Sequence, residues 1–251
     1  MKLPLGAIRA MTPSRPPGRS LANALLPCSV DMQKAMKHIT FYFDFISPYA
    51  YLAFEQLPQA LMGINYSVDY RPVLFAGMLK HHGQLGPAEI APKRDWTYRQ
   101  VMWLANSLSI PMQMPASHPF NPLPLLRLAI ASNAGATGLA NRYVCETIFR
   151  HVWRGAQDAG SVERTDALAA MLCPAQNVQS DEVKKSLKSN TDAAIVQGAF
   201  GVPTLVVDGN VFWGLDALPM LRDYLQGASW FQSGDWQGVS QVGAGVSRRK
   251  K

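Results

Sequence analysis

One stretch constrains this chain more than any other. Ile39-Thr-Phe-Tyr-Phe-Asp-Phe45 runs directly into Ile46-Ser47-Pro48-Tyr49. The first seven residues are β-branched or aromatic almost throughout, the composition of a buried strand. Ser47 is a good helix N-cap and proline suits the first helical position, so a helix starts at Pro48. The next proline, Pro58, marks its expected end. Within 64–73 the residues Ile64, Tyr66, Val68 and Tyr70 alternate, which predicts a second strand. Strand, helix and strand in about 35 residues is a βαβ unit, whose strands pair in parallel.

From about 77 to 198 the pattern is helical, interrupted by Gly and Pro. Helices are expected at Trp96–Leu108, Leu123–Ala134, Leu139–Trp153, Arg164–Leu172 and Ser180–Gly198. Sheet character returns at Thr204. Leu205-Val-Val207 and Val211-Phe-Trp213 flank Asp208-Gly209-Asn210, a hairpin signal. A last helix is expected from about Asp216, as N-cap, to Gln226, with Gly227 as the stop. The order βαβ, helices, ββα defines an α/β chain with a thioredoxin-like fold. A large all-helical insertion separates its two halves. The expected division is 39–76 with 199–227 for the thioredoxin-like domain and 77–198 for the insertion. A flexible basic extension (1–37) and a flexible basic tail (228–251) flank them.

Composition narrows the function classes. The chain has 251 residues and is 48% hydrophobic, enough for a sizeable core. No run approaches the roughly 18 apolar residues of a membrane span, so no membrane partner is expected. The three cysteines, 28, 145 and 173, form no CxxC, which excludes a zinc finger and a dithiol redox enzyme and predicts no metal site. The net charge of +7 is unevenly placed. Residues 1–37 and 228–251 together hold ten Lys or Arg and two acids, whereas 38–227 holds fourteen and fifteen. The body is therefore near neutral, and no nucleic-acid face is expected. The five prolines of 1–37 break both a secretory apolar stretch and an amphipathic transit helix. That segment reads as an extension, or as the result of a translation start placed ahead of Met32 or Met36. The expected location is cytoplasmic.

Three short segments could carry chemistry. Ser47 stands where a strand ends and a helix begins. The first N–H groups of a helix lack partners and its dipole is positive there, so a thiolate or carboxylate is stabilised. Serine is not readily ionised, and no histidine lies in the motif to act as its base. Ser47 is suited to donate a hydrogen bond to the thiolate of a bound small thiol, besides its ordinary capping role. Gly201-Val202-Pro203-Thr204 leads into the third strand, where a cis proline would bring Val202 beside that helix N-terminus. The Val202 N–H and C=O could then pair with a peptide-like ligand as a strand would. Phe212-Trp213-Gly214-Leu215-Asp216 places backbone N–H groups and one carboxylate together, an arrangement fit for a zwitterion. Lys93-Arg94 reads as a solvated pair or a carboxylate anchor. His81-His82 are adjacent and cannot share a metal from one helix face. His118 lies in a Pro-rich loop. Cys145 reads as core, Cys173 as a packed turn residue, and Met102, Met112, Met114 and Met171 as fillers of core or pocket.

These segments resemble the 2-hydroxychromene-2-carboxylate isomerases and, beside them, the kappa-class glutathione transferases of the DsbA-like superfamily. The likeness covers about 39–226. It rests on Phe43-Asp-Phe-Ile-Ser47-Pro-Tyr49, Phe200-Gly-Val-Pro-Thr204 and Phe212-Trp-Gly-Leu-Asp216. Arg71-Pro72, Gly77-Met-Leu-Lys80 and Ala91-Pro-Lys93 add to it. The resemblance implies glutathione as cofactor. Ser47 would hold its sulfur, and Val202 with Pro203 its cysteinyl backbone. Gly214, Leu215 and Asp216 would hold its γ-glutamyl end, and Lys93 its glycyl carboxylate. Lys80, Gln84 and His118 would face a small aromatic substrate. The implied reaction is the glutathione-dependent cis–trans isomerisation of 2-hydroxychromene-2-carboxylate in aromatic catabolism, by a possible homodimer. Gln84 stands where kappa enzymes often carry Asn, and Ala217 where the family commonly has Arg. The alternatives are a kappa-type transferase or peroxidase and a non-catalytic thioredoxin-fold binding module. A dithiol oxidoreductase is excluded because Ser47 and Tyr49-Ala50 replace its cysteine pair.

Overall fold

The computed structural model describes residues 36–133, 138–243 and 245. The basic extension up to residue 35, Cys28 and the terminal Arg-Arg-Lys-Lys lie outside them. Among the described residues, four strands form one sheet in the order β2-β1-β3-β4. β1 (Lys37–Phe43) pairs in parallel with β2 (Tyr66–Pro72), Phe41 opposite Tyr70. β3 (Thr204–Val207) runs antiparallel to β1, and β4 (Asn210–Trp213) closes the hairpin through Asp208 and Gly209. Both turn residues have positive φ, 50° and 79°, as the sharp reversal requires. This is the thioredoxin-like arrangement expected from the pattern.

Both faces of the sheet are covered, which explains why β1 reads as a nearly continuous apolar run. Ile39, Phe41, Phe43, Leu205, Val207 and Phe212 pack on one face with α1 (Pro48–Ala60). Tyr42 and Val206 pack on the other with Met78, Ala194 and Val202. Among the described residues, six further helices follow β2 and precede β3: α2 (Phe75–His82), α3 (Ala91–Ser107), α4 (Leu123–Ala131), α5 (Arg142–Trp153), α6 (Val162–Leu172) and α7 (Asp181–Val196). α8 (Leu218–Gln226) returns to pack beside α1. No helix among the described residues is long and apolar enough to cross a membrane.

Several boundaries differ from the sequence pattern. α1 continues past Pro58 because the proline falls in the last turn, and Leu61 N–H closes that turn on Leu57 C=O at 3.0 Å. α2 is missed by the pattern: it is eight residues long, has no side-chain cap and contains Gly77. Asp216 is not the N-cap of the last helix. It lies in a 3₁₀ turn, Leu215–Ala217, and α8 starts after Ala217 without a side-chain cap. Cys145 is buried as expected, and burial pushes its thiol well above the usual range. Cys173 is exposed rather than packed, in the left-handed conformation that ends α6. Met102 and Met171 are also exposed rather than core residues. In the tail, Phe231 meets Tyr224 edge-on at 5.2 Å, and Trp236 packs on Phe231.

The insertion is joined to α1 by charge and by rings. Arg150 of α5 and Arg154, which caps its C-terminus, both donate to Glu55 Oε1, at 3.3 and 2.8 Å. The ring of Phe149 lies within 4.8 to 6.0 Å of the rings of Phe43, Phe45, Tyr51 and Phe54. Truncating a buried phenylalanine at such a node leaves a cavity. Phe149→Ala is expected to cost about 3–5 kcal/mol in urea denaturation. A loss below about 1 kcal/mol would show that the two layers do not share this core.

Candidate active site

The turn between β1 and α1 is held from four separate parts of the chain. Ser47 caps α1: its Oγ accepts the Ala50 N–H at 3.2 Å and donates to Val202 C=O at 3.3 Å. Phe45 C=O accepts the indole N–H of Trp153 at 3.0 Å. Ile46 C=O accepts from His118 Nε2 at 2.8 Å. Asp44 accepts two backbone N–H bonds, from Ile46 at 3.1 Å on Oδ1 and from Phe75 at 2.9 Å on Oδ2.

Opposite Ser47 lies the loop before β3. The Val202–Pro203 peptide is cis. Among the described residues, Val202 N–H makes no hydrogen bond, while its C=O is engaged only by Ser47 Oγ. Pro203 C=O accepts the Gly214 N–H at 3.0 Å, which ties this loop to the 214–216 segment. Gly214 has φ +98°, and a Cβ there would collide with the Asp216 carboxylate. Glycine is therefore required where that carboxylate folds back. At Gly201 a Cβ would sit 2.6 Å from Trp213 Nε1, so a larger residue there would have to displace that ring. Asp216 is exposed, and its charge acts on the Tyr49 hydroxyl at the head of α1. Ser47, Val202, Pro203, Gly214 and Asp216 thus gather at one end of the sheet. Leu215 beside them packs on the core.

The remaining predicted residues divide. Lys93 is exposed in the first turn of α3. It precedes Thr97 and Gln100 on the same helix face. Gln100 accepts from Tyr49 Oη at 2.7 Å, so this face meets the head of α1. Gln84 is exposed, just past the left-handed Gly83 that ends α2. Lys80 lines a different cavity, of about 750 Å³ between α2, α4 and α7, with Arg127, Lys184 and Lys188. None of its lining residues belongs to the Ser47 group. His118 does not present a free nitrogen. Its Nε2 must carry the proton, because Ile46 C=O can only accept, and Nδ1 lies 2.7 Å from the Tyr98 hydroxyl. Burial lowers its pKa and the Ile46 bond opposes that, so the ring is held neutral.

Sequence reading missed Asp44, Trp153 and Tyr98 as parts of this site. Asp44 alone gave a signal, a carboxylate between two phenylalanines in a run that otherwise reads as buried strand. It is fully buried, and burial raises its pKa to about 7 against the lowering effect of its two N–H bonds. Among the described residues, no group of three or more His, Cys, Asp or Glu could hold a metal.

Comparison with known proteins agrees with this fold. A family model, the DSBA-like thioredoxin domain, matches residues 38–226. The chain belongs to that family. It is 27% identical over 206 residues to glutathione S-transferase kappa 2 of Caenorhabditis elegans, covering 75% of this chain and 92% of the relative. It is 28% identical over 198 residues to 2-hydroxychromene-2-carboxylate isomerase of Sphingobium xenophagum, covering 75% and 98%. A solved 2-hydroxychromene-2-carboxylate isomerase shares the fold, with a TM-score of 0.65 and 24% identity over 79% of this chain and 98% of that one.

The clamp on the turn can be tested apart from any activity. His118→Phe keeps a ring against Trp153 and Phe120 but leaves Ile46 C=O without its donor. It is expected to cost about 1–3 kcal/mol in chemical denaturation. Unchanged stability would mean that the carbonyl is satisfied by water.

Proposed function

We propose that this chain is a glutathione-dependent enzyme that isomerises 2-hydroxychromene-2-carboxylate to trans-o-hydroxybenzylidenepyruvate. The observation that carries the reading is a hydroxyl, not a thiol, at the N-terminus of α1, aimed across the site at the cis Val202–Pro203 loop. A dithiol enzyme needs its own sulfur at that position. A serine there serves a sulfur brought by a ligand.

The residues present fit glutathione. The Ser47 proton makes a long bond to Val202 C=O, 3.3 Å, which an incoming sulfur anion would readily replace. The first N–H groups of α1 add the positive end of the helix dipole. Val202 would then offer its N–H and released C=O to the cysteinyl backbone. Gly214, Leu215 and Asp216 would receive the γ-glutamyl ammonium and carboxylate, and Lys93 the glycyl carboxylate. Bound glutathione supplies a nucleophilic sulfur that adds reversibly to a conjugated double bond and, on leaving, restores it in the other geometry, with no net redox change. The protein's own task is to hold the sulfur ionised and to fix the peptide, which lowers the cost of forming the nucleophile.

On this reading 39–76 and 199–227 form the glutathione-binding domain, and 77–198 an insertion that covers the substrate. A kappa-type transferase is the second reading, favoured by the matching identity to the Caenorhabditis elegans relative. The two share one thiol site and differ in the second substrate.

The test follows the ultraviolet spectrum of 2-hydroxychromene-2-carboxylate with the pure protein, with and without glutathione. Conversion that requires glutathione is expected. No conversion, with turnover of chlorodinitrobenzene, would replace the isomerase by the transferase. Ser47→Ala should fold normally and lower glutathione-dependent turnover about tenfold or more, the loss of one hydrogen bond to a charged group. An undiminished rate would remove Ser47 from the chemistry.

A further inference from the structure

The Asp44 carboxylate stands out among the groups that the proposed chemistry does not use. It is fully buried, at 0% exposure, between Phe43 and Phe45 of the ring cluster. It has no ion-pair partner among the described residues. A buried charge without a counter-charge is costly unless hydrogen bonds repay it. Both of its oxygens are bonded, and both bonds go to main-chain N–H groups of segments that build the thiol site. Ile46 is the residue before Ser47. Phe75 opens α2, and its side chain packs in the cluster of Tyr42, Met78, Ala199 and Val202. One carboxylate therefore connects the turn that presents Ser47 with the layer that supports Val202. These two residues are the ends of the hydrogen bond spanning the site.

We infer that Asp44 is a positioning residue for the thiol site: its ionised carboxylate binds the Ile46 and Phe75 N–H groups together and so sets the spacing between Ser47 and Val202. This rests on the proposed glutathione site. A charged acceptor makes hydrogen bonds about twice as strong as a neutral one. Protonation of Asp44 weakens both bonds at once and loosens the two walls of the site relative to each other.

The carboxylate titrates in the neutral range, since burial raises its pKa to about 7. The shift has only burial and the two backbone bonds as causes, with no charged side chain contributing. The titratable groups on the elements around it are Lys37, His38 and Tyr42 on β1, Tyr49, Tyr51 and Glu55 on α1, and Lys80, His81 and His82 at the far end of α2, with His118 on the Ile46 carbonyl. Tyr42 and Tyr49 are pushed up by burial, and His118 is pushed down.

The probe is S-methylglutathione, which has the peptide but no ionisable thiol. Calorimetry on the full chain should show its affinity rising about threefold or more between pH about 6 and about 8, as Asp44 ionises. The same titration with Asp44→Asn should be nearly flat, while circular dichroism shows a native spectrum. Equal pH dependence in both proteins would overturn the inference. Should Asp44→Asn not fold, the wild-type protein decides. Binding near pH about 7 should release a fraction of a proton, read from heats in two buffers of different ionisation enthalpy. No proton release would overturn the inference. Failure of S-methylglutathione and glutathione to bind at any pH would instead sink the glutathione reading itself, so the two failures are distinct.

Discussion

A strand that enters a helix through a buried turn must satisfy every polar group of that turn, and the whole site depends on how this is done. Asp44, Phe45 and Ser47 are buried and Ile46 is half-buried, so a backbone group left unpaired there would cost about 1–3 kcal/mol. Trp153 takes the Phe45 carbonyl, His118 the Ile46 carbonyl and Asp44 the Ile46 N–H, while Val202 receives the Ser47 hydroxyl. The partners come from α5, from the loop after α3, from the turn itself and from the loop before β3. The helical insertion is thus more than a cover. It supplies two of the four fixings that aim the N-terminus of α1.

The energetic logic runs from the core outward. Phe149 places α5 against β1 and α1, and this brings Trp153 to the turn. Tyr98 on α3 bonds His118, which carries that helix to the same turn. Tyr49, next to the cap, meets Gln100 and lies in the field of Asp216. The site is assembled where the two layers meet, with its polar members oriented by apolar packing behind them. Such support is what keeps a binding geometry fixed.

How much of this could be read from the sequence depends on the range of the interactions. Ser47 and Pro48 declare a helix start locally, and Asp208-Gly209 declares a hairpin, so the strands and most helices were legible. The short α2 was not, because Gly77 and the absence of a cap leave no local signal. Asp216 looked like a cap, but the chain takes a 3₁₀ turn first. Ser47, Pro203 and Asp216 were legible as candidates because each sits at a recognisable junction. The work of His118 was not, since its partner Ile46 is 72 residues away in sequence. Trp153 meets Phe45 across 108 residues, and only the folded chain reveals that contact.

On the proposed reading, the N-terminus of α1 and the Ser47 hydroxyl stabilise a sulfur anion that the protein does not itself contain. This is tested most directly by titrating bound glutathione and following the ultraviolet absorbance of the thiolate. Glutathione on the wild-type protein is expected to ionise at least one pH unit below the free thiol, a difference of about 1.4 kcal/mol. In Ser47→Ala most of that shift should be lost. A bound thiol that ionises where the free thiol does would remove this role from Ser47 and α1, whatever reaction the protein catalyses.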